Sequence, residues 1–368
     1  MIGDGMTDIE QPKYTLTNTI VNSLIAIEAA RILVESTPLP PTALAELSRQ
    51  AHIRATHYST RIEGNRLTLE EAAEVISGRR RVFHGRERDV AEVRNYWDAL
   101  SWVEVQAENH RSITDEFIRR IHAVVMHGKR AKATSYRTGQ NVIRDSETGG
   151  IVYMPPEAQD VPVLMGRVVC WIRKAEAERV SPVIIAGLAH YQFVTIHPYY
   201  DGNGRTARLI ATYILHRGGY GLRGIFSLEE YHSREIQAYY HALDIGGHHN
   251  YYMGRAEADV TSWLEYFVKT LQEVFKSAGE EARRYSEGNV SAELDELRRL
   301  DHRQRIVLAL FSGQEQITSA DVAQTLGLSE RMARVLLAKW VSDGWLQVAN
   351  PSRRARKYTI ADKYKSSY

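Results

Sequence analysis

Apolar side chains recur every three to four positions along most of this chain, the spacing of helices that bury one face. Leu44, Leu47, Ala51, Ala55 and Tyr58 form one such stripe in a helix expected over residues 43–63, with Gly64 as its left-handed stop. Pro38, Pro40 and Pro41 separate it from an earlier helix over residues 21–34. Leu67 to Glu71 opens a further helix, with Thr68 as N-cap and Glu71 completing a capping box. The pattern changes over residues 136–156, where Asn141-Val142-Ile143 and Ile151-Val152-Tyr153-Met154 read as a β-hairpin joined by Asp145-Ser146-Glu147-Thr148-Gly149-Gly150. Ser181 as N-cap and Pro182 at the first helical position start a helix that runs through Phe193 and Ile196. After a turn, a second helix covers residues 204–217 and ends at Gly218-Gly219. The charged stretch 276–299 predicts a solvated helical connector.

Beyond the connector, helices are expected around Arg305–Leu310, from Ile317 to Ala323, and from Glu330 to Val341, with a turn at Leu326-Gly327-Leu328-Ser329. Leu346-Gln347-Val348 and Lys357-Tyr358-Thr359-Ile360 then read as wing strands around Arg353-Arg354-Ala355-Arg356. This unit looks like a winged helix-turn-helix. Its third helix carries Arg331, Arg334 and Lys339, which suits DNA, although such units also serve as protein-contact modules.

At 368 residues the chain is long enough for two or three domains. Charge adds little, since 47 Lys+Arg against 45 Asp+Glu give +2 and no global demand for nucleic acid. A single cysteine, Cys170, excludes an internal disulfide and Cys-rich zinc sites. No run of about 18 apolar residues crosses a membrane, and Met1-Ile2-Gly3-Asp4 begins no secretory signal, so the cytoplasm is the expected compartment.

The chemistry concentrates in His197-Pro198-Tyr199-Tyr200-Asp201-Gly202-Asn203-Gly204-Arg205-Thr206-Ala207-Arg208, between two apolar helices. Gly202 and Gly204 let backbone N–H groups approach a ligand, and the following helix adds its positive end, so the segment reads as an anion site. Arg205 and Arg208, three residues apart, are expected on one face beside the same anion, which suits a polyphosphate. Asp201 can hold Mg²⁺, an ion content with one carboxylate plus phosphate oxygens. His197 is the candidate general base, with an ordinary pKa near working pH; His190 reads as structural. A dinucleotide fingerprint is rejected because a helix precedes the glycines, an EF-hand fails at Arg205 and Thr206, and no P-loop exists.

The run resembles the Fic (Fido) signature H-P-F-x-D-G-N-G-R-x-x-R, with Tyr199 where Phe is usual. The likeness extends to Ala189-His190-Tyr191-Gln192-Phe193, Thr138-Gly139-Gln140, Pro155-Pro156 and Tyr239-Tyr240, and covers most of residues 45–270. The resemblance implies a mainly α Fic core with a β-hairpin flap, and transfer of AMP from ATP to a Ser, Thr or Tyr hydroxyl of target proteins and of the chain itself, releasing pyrophosphate. His197 would be the catalytic base and Asp201 the Mg²⁺ ligand. Gly202, Asn203, Gly204, Arg205, Thr206, Ala207 and Arg208 would bind ATP, Asn203 at the α-phosphate and Arg208 at the γ-phosphate, with Val194 and Tyr240 on the adenine side.

Upstream, Ser59-Thr60-Arg61-Ile62-Glu63-Gly64-Asn65 looks like the inhibitory motif [ST]-x-x-x-E-[GN] of the same family. Ser59 and Glu63 share a helix face, and Glu63 paired to Arg208 would remove the cation that seats the γ-phosphate. The edge Asn141-Val142-Ile143 is the expected docking strand for an extended target. The organisation read from the sequence is thus residues 1–110 as an N-terminal helical region, 111–272 as catalytic core, 273–300 as connector and 301–368 as the winged unit. Partners are ATP, a protein substrate, a second copy of the chain and, through the last unit, DNA, with no membrane. Two other readings stand beside transfer: removal of AMP or use of another nucleotide, and a DNA-binding regulator with a nucleotide-sensing Fic site.

Overall fold

A computed structural model describes residues 12–80, 82–144, 149–246, 249–299, 301–312, 314–350, 352 and 356–361. The helices are α1 (Asn18–Ser36), α2 (Pro41–Ile62), α3 (Leu69–Ile76), α4 (Glu87–Glu108) and α5 (Asp115–His127). Two strands, β1 (Ile143–Arg144) and β2 (Ile151–Tyr153), precede α6 (Val161–Ala177), α7 (Pro182–Ile196), α8 (Asn203–Arg217), α9 (Leu228–Arg234), α10 (Ile236–Leu243) and α11 (Thr261–Arg299). The chain closes with α12 (His302–Leu308), α13 (Ser319–Leu326), α14 (Glu330–Ser342), β3 (Leu346–Asn350) and β4 (Lys357–Ile360). Among the described residues no helix is long and apolar enough to cross a membrane.

Two compact units emerge, one of residues 1–36 with 47–279 and one of 37–46 with 280–368. The first is organised on α7, whose side chains are buried almost all round, from Val183 to Ile196. Uniformly apolar helices are core helices. Helix α8 folds back against α7, α4 and α5 pack on α8, and α6 lies along α7. Helix α11 closes the bundle: Trp263 donates its indole N–H to the Gly187 carbonyl at 2.7 Å. A Cβ on residue 187 would stand 2.8 Å from the Phe267 ring, so the missing side chain lets the two helices approach.

The local signals hold where they are strongest. Thr68 caps α3 in a capping box with Glu71, and Pro182 opens α7, although the Ser181 side chain makes no cap hydrogen bond. Boundaries differ elsewhere. Helix α1 and α2 from Leu47 onward fall in the same unit as the core, where α2 buries Ala51, Ile53, Ala55, Thr56, Ser59 and Thr60. The expected connector is the continuation of one 39-residue helix. Its apolar stripe of Phe267, Leu271, Phe275 and Ala278 runs straight through the expected start of the connector. The hairpin strand begins at Ile143 rather than Asn141, since the Asn141 carbonyl oxygen of the side chain accepts from the Val142 N–H and its amide donates to the Tyr199 carbonyl. Ile143 pairs with Tyr153 and Arg144 with Ile151, while Met154 falls outside the strand, bridged to Asn250. Asp145, Ser146, Glu147 and Thr148 lie outside the described residues.

In the second unit, Val307, Ile317, Val322, Leu337, Trp340, Leu346, Tyr358 and Ile360 form one core. Gly327 turns α13 off in the left-handed region, and β3 and β4 pair antiparallel, Leu346 opposite Ile360. The first of its helices ends at Leu308, two residues short of the expected Leu310. Arg331, Arg334 and Lys339 lie exposed on α14, with Arg334 bound to Glu330 at 2.6 Å. Arg353, Arg354 and Ala355 lie outside the described residues.

Candidate active site

The site grows from the break between α7 and α8. Helix α7 ends at Ile196, and His197 takes the left-handed conformation (φ 52°), unusual for a residue with a Cβ. Support comes from Arg137, whose Nε donates to the His197 carbonyl at 3.0 Å and whose backbone N–H donates to the Pro198 carbonyl at 2.9 Å. The same buried guanidinium also binds the carbonyls of Gly139 and Pro156 and the Gln140 side chain, joining the flap to the turn. His197 is half-buried, and its Nδ1 lies 3.3 Å from the Val194 carbonyl. Burial lowers its pKa to about 4, against a small upward pull from that hydrogen bond. The ring is thus neutral at working pH, with Nδ1–H spent on Val194 and Nε2 left as acceptor. This corrects the expectation of a pKa near working pH, and a neutral ring is the form a general base needs.

The loop is braced by side chains. Asn203 accepts the Tyr199 N–H at 3.0 Å and returns an amide hydrogen bond to the Tyr199 carbonyl at 2.7 Å. The Tyr199 ring is stacked on His122 with centroids 3.5 Å apart; its buried hydroxyl faces the Thr134 side chain without a well-formed hydrogen bond. His122, held neutral by burial with a pKa of about 4, donates from Nε2 to the Asp201 carbonyl at 2.9 Å. Gly202 sits at φ 79°, and a Cβ there would meet the Met126 sulfur at 2.6 Å, so glycine is required twice over.

Asp201 remains half-exposed, its Oδ1 accepting from the Gly202 N–H at 2.6 Å and from Arg205 at 3.2 Å. Arg205 is fully buried and also faces Glu92 at 3.7 Å, and Arg88 reaches Asp201 from the rim at 3.7 Å. The expectation that Arg205 and Arg208 flank one anion is therefore corrected. Each arginine is drawn to a different carboxylate, and Arg205 braces Asp201.

Arg208 is buried against α2. Its Nε donates to the Ser59 hydroxyl at 2.8 Å, and its Nη2 donates to the Ser59 carbonyl at 2.9 Å and to Glu63 Oε1 at 2.8 Å. Burial opposes its charge, but the Glu63 carboxylate drives its pKa up. Its Nη1 has no partner. Glu63 does more than pair: a Cβ on residue 204 would stand 2.4 Å from Glu63 Oε1 and 3.2 Å from Arg208 Nη1. The carboxylate thus occupies the start of α8, where backbone N–H groups and the helix dipole attract an anion. The first intrahelical bond of α8 runs from the Thr206 N–H to the Gly202 carbonyl, so the three preceding N–H groups are the ones open to an anion. Thr206 and Ala207 turn their side chains into the core. Tyr240 lies half-exposed on α10 beside the Glu63–Arg208 pair, and Val194 is half-buried behind His197. Sequence reasoning missed His122, Arg137, Glu92 and Arg88; each acts through a long-range contact that no local spacing announces.

Residues 112–215 match the family model described as Fic/DOC family. The protein adenylyltransferase Fic of Drosophila mojavensis is 31% identical over 180 residues, covering 49% of this chain and 34% of that protein. That of Nematostella vectensis is 30% identical over 196 residues, 53% of this chain and 44% of that protein. This chain therefore spans less than half the length of these curated relatives. Among solved structures, a Fic family protein from Desulfovibrio desulfuricans G20 aligns with TM-score 0.60 at 26% identity, over 96% of this chain and 99% of that one. Fic-1 from C. elegans shares the fold with TM-score 0.54 at 21% identity, over 74% of each chain.

Proposed function

We propose that this chain, whose residues 112–215 match the Fic/DOC family model, is a protein adenylyltransferase, moving AMP from ATP to a protein hydroxyl and held in check by Glu63. The observation that carries the reading is the Glu63 carboxylate, which stands over Gly204 and binds Arg208 at 2.8 Å, an acid in the place of a phosphate. With Glu63 withdrawn, the open N–H groups of Asn203, Gly204 and Arg205 and the unpartnered Nη1 of Arg208 face that place together.

The reaction then follows from the groups present. His197 Nε2 accepts the proton of the target Ser, Thr or Tyr; the hydroxyl oxygen bonds to the α-phosphorus; the bond from phosphorus to the bridging oxygen breaks, and pyrophosphate leaves. Arg208 holds the γ-phosphate, which lines up the α-phosphate for attack. Asp201 fits Mg²⁺: it is a lone half-exposed carboxylate, and among the described residues no cluster of three or more acidic, His or Cys ligands exists. That is the donor set of an ion that keeps its waters and shares phosphate oxygens. When bound, Mg²⁺ neutralises the polyphosphate. Val194 and Tyr240 stand for the adenine side, and Ile143 with the preceding Asn141-Val142 for docking an extended target at the flap.

Incubating the full chain with labelled ATP, Mg²⁺ and cell lysate tests the reading. Label on protein that increases with Glu63→Gly and vanishes with His197→Ala is expected. No transfer to any protein by Glu63→Gly overturns it, and loss of an AMP-removing activity in Glu63→Gly would make Glu63 a catalytic group for the reverse step.

A further inference from the structure

On the adenylyltransferase reading, Glu63 must release Arg208 before ATP is seated. Without Glu63 the buried guanidinium loses an ion-pair partner and keeps its hydrogen bonds to the Ser59 hydroxyl and carbonyl. What holds the Ser59 hydroxyl then decides where Arg208 points.

The surroundings narrow the choice. His190 and His232 lie close to Arg208, but burial keeps both neutral, His190 with a pKa of about 3. Burial also raises the pKa of Tyr239, which stays a neutral phenol. Glu229 is an acidic neighbour, buried in the first turn of α9; burial raises its pKa, while hydrogen bonds and the Arg208 charge pull the other way. Both Glu229 oxygens accept hydrogen bonds, one from the Tyr96 hydroxyl at 3.0 Å and one from the Ser227 hydroxyl at 3.3 Å. Tyr96, on α4 and fully buried, has the Ser59 hydroxyl as its other polar neighbour. Ser59 in turn accepts from Arg208 Nε at 2.8 Å.

We propose that Glu229, acting through Tyr96 and Ser59, is the positioning residue that holds Arg208 aimed at the nucleotide when Glu63 withdraws. The chain grips the Nε edge of the guanidinium, the side away from the phosphate place. Nη1, on the Gly204 side, stays free for the γ-phosphate. Glu63 then acts on the far end of an arginine already fixed at its near end.

The test reads ATP against ADP, which differ by the phosphate Arg208 holds. Calorimetry on the full chain carrying Glu63→Gly and His197→Ala, with Mg²⁺ and no acceptor, should show ATP binding more tightly than ADP. Adding Tyr96→Phe or Glu229→Gln should reduce that preference about tenfold, the scale of one hydrogen bond to a charged group, while the ADP Kd stays put. An unchanged ATP-to-ADP ratio overturns the proposal. So does equal weakening of both nucleotides with the melting transition intact, which would make the two residues ordinary supports. Absence of any ATP binding before Tyr96 or Glu229 is touched overturns the adenylyltransferase reading instead, and the proposal with it.

Discussion

One oxygen of Glu63 lies 2.8 Å from Nη2 of Arg208, an ion pair that ties α2 to α8 across 145 residues of sequence. Glu63 is 26% exposed and Arg208 1%, so the arginine depends on the pair far more than the glutamate does. On the proposed reading, this asymmetry suits a releasable brake, with the half facing solvent able to leave and the buried half free for an anion.

Glu63→Gly should therefore raise AMP incorporation, including self-modification, and Glu63→Gly with Arg208→Ala should lose the gain. The single variant should also be less stable. Breaking a buried pair costs about 3–5 kcal/mol, and partial exposure of Glu63 brings the expectation down to about 2 kcal/mol. Saturating ATP should restore more stability to Glu63→Gly than to the parent, because ligand bound only to the folded state adds to its stability. Equal restoration in both chains, read by thermal unfolding, would sink the idea that ATP replaces Glu63.

His197→Ala should lower transfer about 10²–10⁴-fold, the usual worth of a general base, with ATP binding retained. The pH profile gives a finer check. The base works when neutral, and burial sets its pKa at about 4, so the form able to accept a proton is lost only as pH falls through 4. In Glu63→Gly, which removes the upward pull of the Glu63 carboxylate on the ring, the acid limb of kcat/KM should lie no higher than about 4, well below the ordinary histidine value of about 6.5. A limb at 6.5 that disappears in no other variant would show a solvated ring.

Much of this site can be read in the sequence, and the reason is local geometry. Glycines at 202 and 204, an arginine at 208 and a serine-glutamate pair one helical turn apart are spacings that local geometry makes legible, although the contact that joins them, Arg208 with Ser59 and Glu63, is long-range. The capping box at Thr68 and Glu71 is legible for the same reason. What escapes is set by packing. Arg205 points to Asp201 and Glu92 because α4 brings Glu92 there. His122 stacks on Tyr199 because α5 crosses the loop. The charged surface of the stretch after residue 272 hides an apolar stripe that keeps α11 in the bundle.

Asp201→Ala should abolish the Mg²⁺ response by nearly eliminating turnover, since it removes the half-exposed carboxylate proposed to hold the ion. Arg205 would lose a partner at 3.2 Å but keep Glu92 at 3.7 Å, so the fold should survive. Wild-type rates in excess chelator would take the metal out of the reaction.

Tyr199→Phe should stabilise the chain. The hydroxyl is buried with no hydrogen bond, and an unsatisfied buried polar group costs about 1–3 kcal/mol. The ring itself would keep its stack on His122. A gain of about 1 kcal/mol with unchanged transfer is expected in denaturant titration. A loss would mean that the hydroxyl has a partner in solution, a water or Thr134.

Gly204→Ala separates the two roles of the α8 terminus. The backbone there is helical, so alanine is not strained. The new Cβ would stand 2.4 Å from Glu63 Oε1, a flexible carboxylate that can move aside. The Glu63–Arg208 pair should loosen. Yet the same Cβ fills the place above the first turn of α8 and lies 3.2 Å from Arg208 Nη1, where the proposed reading seats the polyphosphate. Gly204→Ala should thus weaken ATP binding by about tenfold or more, the scale of losing hydrogen bonds to a charged group, and should not activate transfer even when combined with Glu63→Gly. Activation by Gly204→Ala alone would mean that the phosphates lie elsewhere, and that Glu63 blocks the site through Arg208 only.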